Sequence, residues 1–183
     1  MTNRREFLGV AAALLTSSRP GRASGKPKQI LLMRHGEKSG SKDDPDLNKQ
    51  GYLRAAALLR LFPGSFDTPE FLFASKASRR SNREIETLTP LARALHLQIN
   101  GVYTDEEYPA LASELLSNPR YSEKTLLVCW HHGNIPQFAA RLGVAKPPSP
   151  WPDTQFDRIW KIQYPDGGVS MTDLPQHLLD SDS

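Results

Sequence analysis

Thiol chemistry is nearly missing from this 183-residue chain, which holds one cysteine, Cys129. A lone thiol excludes an internal disulfide and any metal site built on several cysteines. Long apolar runs are missing as well. The run Val10 to Leu15 is too short to span a bilayer, so the mature form is expected not to be membrane-spanning. No internal repeat is visible, so the chain does not read as a stacked array. A basic body is also absent once the charge is located. The formal net charge is +3, but Arg4, Arg5, Arg19 and Arg22 against Glu6 account for all of it within residues 1–25. The remainder is formally neutral, which leaves no electrostatic support for nucleic-acid binding.

What is present is a soluble globular balance, with 38% hydrophobic and 23% charged residues in a length that suits one domain. The N-terminus reads differently from the rest. Arg4-Arg5, then Phe7-Leu8, the short apolar run and the small residues Ala23-Ser24-Gly25 form the pattern of a twin-arginine export signal. Residues 1–25 are therefore expected to be a signal peptide and 26–183 a single domain. The corresponding partner is the twin-arginine export machinery, and the expected location is the periplasm. The rival reading is an amphipathic N-terminal helix of a cytosolic protein; the Asn-Arg-Arg-Glu-Phe-Leu context favours export.

From Lys26 onward, strand-like and helix-like segments alternate. Ile30–Met33, Phe71–Ala74 and Thr125–Trp130 are short apolar runs, as in strands buried on both faces. Asn48 is placed to cap a helix from Lys49 to Leu61, with Tyr52, Ala55, Ala56 and Leu59 forming its apolar face. A second helix is expected from Asn82 to His96, broken at Pro90. Val102-Tyr103 reads as a short strand, Asp105 to Leu116 as a helix with an acidic first turn, and Ile135 to Leu142 as another helix. Ile159 to Tyr164, with Trp160, Ile162 and Tyr164 on one side, Asp166-Gly167 and Val169–Met171 suggest a terminal hairpin. Such alternation predicts an α/β fold, three layers with a mostly parallel central sheet. Binding groups then gather beyond the carboxyl ends of the strands.

Two histidine segments fall at such ends. Arg34-His35-Gly36-Glu37 follows the first strand, and His131-His132-Gly133 follows the third. An arginine offers a planar fork of donors for phosphoryl oxygens, and a glycine lets the backbone approach a ligand closely. Arg83, in Arg83-Glu84-Ile85-Glu86-Thr87, opens the helix after the second strand.

These segments resemble those of the histidine phosphatase superfamily, the phosphoglycerate mutase-like fold. Arg34-His35-Gly36 is similar to its nucleophile motif. Leu47-Asn48 with Gly51, Arg54 and Ala55 resembles its helix start, with Asn in place of Thr. Arg83-x-x-Glu86-Thr87 and His132-Gly133 are similar to two further motifs, in the same order, and the resemblance runs from about Ile30 to Tyr164. It implies a phosphatase that needs neither metal nor cofactor and acts on a small phosphorylated substrate or a phosphopeptide. His35 would be the nucleophile, and Arg34, Arg83 and His132 would bind the phosphoryl oxygens.

Three points depart from the pattern. Arg79 and Arg80 stand close to Arg83 and are alternatives to it. His131 adjoins His132, and alternation along an extended chain lets only one enter a pocket, with the following glycine favouring His132. The proton donor for the leaving oxygen is sought among Asp105, Glu106 and Glu107, with Glu107 preferred as general acid because Tyr108 follows it. Asp43, Asp44 and Asp46 read as a solvated loop, Trp130, Trp151 and Trp160 as core or loop anchors, Cys129 as a buried inert thiol and His96 as a capping or surface residue. Two rival functions share the fold: a phosphomutase, and a non-catalytic phospholigand-binding module.

Overall fold

Two of the apolar runs of the domain form the centre of its sheet. In the computed structural model, which describes residues 25–182 apart from 42 and 167, β1 (Gln29–Arg34) and β4 (Thr125–Trp130) are buried at every position. They pair in parallel, Gln29 opposite Thr125 and Arg34 opposite Trp130. β2 (Phe71–Ala74) flanks β4 in parallel, and β3 (Ile99–Asn100) flanks β2. On the other side β5 (Arg158–Gln163) runs antiparallel to β1, and β6 (Ser170–Pro175) antiparallel to β5. The order is β3-β2-β4-β1-β5-β6.

Side chains alternate across the central strands and feed two cores. Ile30, Leu32, Val128 and Trp130 pack with α3 (Tyr108–Ser117) and α4 (Ile135–Arg141) on one face. Leu31, Met33, Leu127 and Cys129 pack with α2 (Arg83–Leu95) and with the 3-10 turn Leu58–Leu61 that continues α1 (Lys49–Ala57) on the other. The result is the expected α/β architecture of helices on both faces of a mostly parallel sheet.

Several local expectations are revised. The short strand is Ile99–Asn100, not Val102-Tyr103, and Val102 is 67% exposed. α2 runs through Pro90 without a break, because burial of Leu88, Leu91 and Ala92 outweighs one lost backbone bond. It ends at His96, in the left-handed conformation. The Asp105–Leu116 helix begins as a 3-10 turn, Asp105–Glu107, before α3. On α1 the apolar face is rotated. Tyr52, Ala56 and Leu59 are exposed, while Gly51, Arg54, Ala55 and Leu58 face inward. Trp130, Trp151 and Trp160 are buried anchors, and Cys129 is fully buried, its thiol pushed up by burial. Residues 1–24, on which the expected signal peptide (1–25) falls, and Gly167 of the expected hairpin turn lie outside the described residues. No helix among the described residues is long and apolar enough to cross a membrane.

A charged residue on the inward face of α1 explains its rotation. Arg54 grips Glu37, directly after the Arg34-His35-Gly36 segment, and Asp182 near the C-terminus, each at 2.6 Å. The Arg54 and Asp182 side chains are both 2% exposed, and Asp182 also accepts from the Leu178 and Leu179 amides. Removing one partner of a buried pair strands the other charge. Arg54→Ala is therefore expected to lower the unfolding free energy by about 3–5 kcal/mol, measured by urea denaturation.

Candidate functional site

The parallel pairing of β1 and β4 sets their carboxyl ends side by side, so His35 and the His131-His132 pair emerge from adjacent strands. His35 is fully buried. Its Nδ1 lies 2.7 Å from the carbonyl of Gly36. A carbonyl only accepts, so Nδ1 carries the proton and Nε2 keeps its lone pair. Burial, with the charges of Arg34 and Arg83, holds the imidazole well below its ordinary pKa and keeps it neutral.

The backbone around His35 is held by the segments flanking it in space. A Cβ on Gly36 would meet the Gly51 backbone at 3.0 Å, and a Cβ on Gly51 would meet the Glu37 carbonyl at 2.3 Å. The first turn of α1, capped by the Asn48 side chain through the Gly51 amide, thus lies directly on the His35 loop. From α2, Thr87 accepts from the Gly36 amide, and Glu86 accepts from the Leu47 amide and the Tyr52 hydroxyl. Gly51 and Thr87 therefore hold the loop directly, and Glu86 holds the start of α1 that lies on it.

Three further groups surround the imidazole. Arg34 is buried under the 152–156 segment. Its Nη1 donates to the carbonyls of Pro152, Asp153 and Gln155, and its guanidinium lies 3.9 Å over the Phe156 ring. Burial lowers it to about 10, which leaves it cationic at neutral pH. Arg83 donates to the carbonyls of Asp44 and Arg80 and is buried, whereas Arg79 and Arg80 are exposed. His132 pairs through Nε2 with Asp153 at 2.8 Å, and burial lowers it to about 4.

Polar atoms that are buried yet lack a partner gather here: Arg34 Nε and Nη2, His35 Nε2, Arg83 Nε and His132 Nδ1. Buried polar atoms in native proteins are almost always satisfied, so such a cluster points to a ligand that supplies the missing bonds. Among the described residues no group of three or more His, Cys, Asp or Glu is arranged to hold a metal ion.

His131 also belongs to this surround. Its ring stacks 6.3 Å from that of His35, and its Nδ1 is 3.4 Å from Asp105. β4 ends at Trp130 and the chain turns at His132, so strand alternation no longer separates the two histidines. Glu107, the expected general acid, is used otherwise. Its exposed carboxylate accepts from the Thr104 amide and hydroxyl, which lowers its pKa and closes a capping box. A lowered, solvated carboxylate is a poor proton donor, and it does not line the cavity beside His35.

That cavity, of about 640 Å³, is lined by Arg80, Arg83, Asp105, His131 and Glu84. Glu84 is the residue that sequence reasoning passed over. It is 2% exposed, and its Oε1 lies 4.0 Å from His35 Nε2 without a partner. The signal was its spacing, since 84, 87, 88 and 91 share the buried stripe of α2.

No protein-family profile and no curated protein sequence matches the chain. Solved structures share its fold. The protein histidine phosphatase SixA, complexed with tungstate, superposes with TM-score 0.58 over 81% of this chain and 97% of that one, at 17% identity. Phosphoserine phosphatase from Entamoeba histolytica, in complex with 3-phosphoglyceric acid, gives 0.55 over 82% and 99%, also at 17% identity. Phosphoglycerate mutase from Bacillus anthracis gives 0.53 over 83% and 94%, at 13% identity. The chain therefore has the phosphoglycerate mutase-like fold that these structures share.

The contact between α1 and the His35 loop is directly testable. Gly51→Ala is expected to lower stability by roughly 1–3 kcal/mol in urea and to shift the His35 imidazole nitrogen resonances. Gly64→Ala, where a Cβ meets open space, is expected to leave those resonances in place.

Proposed function

We propose that this chain is a metal-independent phosphatase that hydrolyses phosphate monoesters through a phosphohistidine on His35. The observation that carries this reading is the convergence of unpartnered cationic donors around a neutral, buried imidazole lone pair. A phosphoryl group is the ligand class that offers several acceptor oxygens around one electrophilic atom. The shared fold with phosphatases supports the same reading.

In this mechanism His35 Nε2 attacks phosphorus, and the Nδ1–Gly36 bond holds the ring and its tautomer throughout. The covalent phosphohistidine divides one hard displacement into two easier ones. Arg34 Nε and Nη2 and Arg83 Nε neutralise the oxygens in the transition state, where electrostatic stabilisation is usually the largest contribution. The doubly negative phosphoryl group also offsets the burial that keeps His132 neutral, so its Nδ1 gains a proton to donate. Water then attacks the phosphohistidine and releases phosphate.

Purified protein is expected to hydrolyse p-nitrophenyl phosphate in the presence of a chelator, with kcat at least about 10³-fold lower in His35→Ala. Because the nucleophile must be neutral and is held below its ordinary pKa, the acidic limb of kcat/KM is expected to lie below pH 6.5. Loss of activity on chelation, or its persistence in His35→Ala, refutes the reading. Transfer of the phosphoryl group to added glycerate in preference to water identifies a mutase, and phospholigand binding without turnover identifies a recognition module.

Arg4-Arg5 and the apolar run behind them support export of the folded domain by the twin-arginine route to the periplasm. Arg4→Lys with Arg5→Lys is expected to hold the protein in the cytoplasm, assayed by cell fractionation.

A further inference from the structure

We propose that Glu84 is the acid–base residue of this site: its carboxyl gives a proton to the leaving oxygen of the ester and later takes one from the attacking water. The proposal rests on the phosphatase reading and adds to it the group that Glu107 cannot supply.

The observations are geometric first. Glu84 is the second residue of α2, on the stripe that faces the sheet, and is 2% exposed. Its Oε2 accepts from the Ser81 hydroxyl at 2.7 Å, which fixes the carboxyl and leaves Oε1 free. Oε1 is 4.0 Å from His35 Nε2, too far for a hydrogen bond between them. A phosphoryl group attacked by Nε2 would lie beside this carboxyl, and in the proposed arrangement its leaving oxygen is turned toward Oε1. The donors on Arg34, Arg83 and His132 are matched to the oxygens that stay on phosphorus. Among the described residues, Glu84 Oε1 is an unpartnered, buried carboxyl oxygen placed 4.0 Å from Nε2.

Electrostatics agrees with the geometry. Burial raises the Glu84 carboxyl above the usual carboxylate range, against the opposing pull of the Ser81 bond and of His131 and Arg83. The protonated form can approach a phosphate without like-charge repulsion, whereas an ionised Glu84 would oppose its binding. Asp105 and Glu106, at the same cavity, are placed differently: Asp105 keeps a buried Oδ1 without a partner but its Oδ2 is held 3.4 Å from His131, and Glu106 is exposed.

The steps balance. The Nε2 lone pair forms the N–P bond while the P–O ester bond breaks, its electron pair goes to the leaving oxygen, and that oxygen takes the proton from Glu84. Water then forms a new O–P bond, its proton passes to the Glu84 carboxylate, and the N–P electrons return to His35. Glu84 ends protonated and His35 neutral, ready for another turnover.

The test compares leaving groups. A nitrophenolate departs without a proton, whereas an alkoxide needs one. Glu84→Gln is expected to lose about 10²–10⁴ in kcat/KM on glycerol phosphate and much less on p-nitrophenyl phosphate, because kcat/KM reports the phosphorylation of His35 and not the later attack of water. Equal losses on both substrates would assign Glu84 to packing or phosphate binding and overturn the proposal. So would a selective loss on glycerol phosphate in Glu107→Gln but not in Glu84→Gln. Should Glu84→Gln fail to fold, the wild type still decides. Its kcat/KM across a series of phosphate esters is expected to depend weakly on leaving-group pKa, and a steep dependence overturns the proposal. If wild type cleaves neither ester class, the phosphatase reading itself fails; cleavage with equal losses in Glu84→Gln leaves that reading standing without Glu84.

Discussion

The site depends on how closely α1 approaches the chain just after His35. Two glycines meet backbone to backbone, so no side chain separates the helix from the loop that carries the imidazole. That close approach fixes the direction in which His35 leaves the sheet. The Gly36 carbonyl then selects the tautomer, and the selected tautomer leaves Nε2 as the free nitrogen. Thr87 braces the same loop from α2, Glu86 ties α2 to the start of α1, and Arg54 ties the far end of the loop to the C-terminal segment. Preorganisation of this kind is a property of backbone contacts as much as of reactive groups.

Around that fixed imidazole the protein concentrates uncompensated polarity. Arg34 spends one side of its guanidinium on three carbonyls and keeps the other bare, and Arg83 does the same with two carbonyls and its Nε. Buried bare donors oppose folding unless something answers them. Here the large apolar cores on both faces of the sheet supply the stability that lets the bare donors persist.

Much of the layout was legible in the sequence because central parallel strands must be apolar on both faces. Ile30–Met33, Phe71–Ala74 and Thr125–Trp130 could be recognised without any structure, and the residues directly after two of them were suspect on position alone. The misread elements are those decided by tertiary contact. Pro90 sits in an unbroken helix because Leu88, Leu91 and Ala92 hold it to the sheet. α1 is rotated because Arg54, charged and long, finds two carboxylates inside the protein. Glu107 looked like a catalytic carboxylate but closes a local cap, and Glu84 looked like an ordinary first-turn acid but lies on a buried stripe. In both cases the chemistry follows from burial, which local sequence encodes only through spacing.

The bonds that hold Arg34 come from main-chain carbonyls of Pro152, Asp153 and Gln155. Carbonyls are the same whatever side chains accompany them. The outer surface of this segment is therefore free to change in shape while the arginine keeps its orientation, provided the Phe156 ring stays against the guanidinium and Asp153 keeps its pairing with His132. Such a separation lets selection, or an engineer, rewrite the surface beside Arg34 without reorienting the guanidinium.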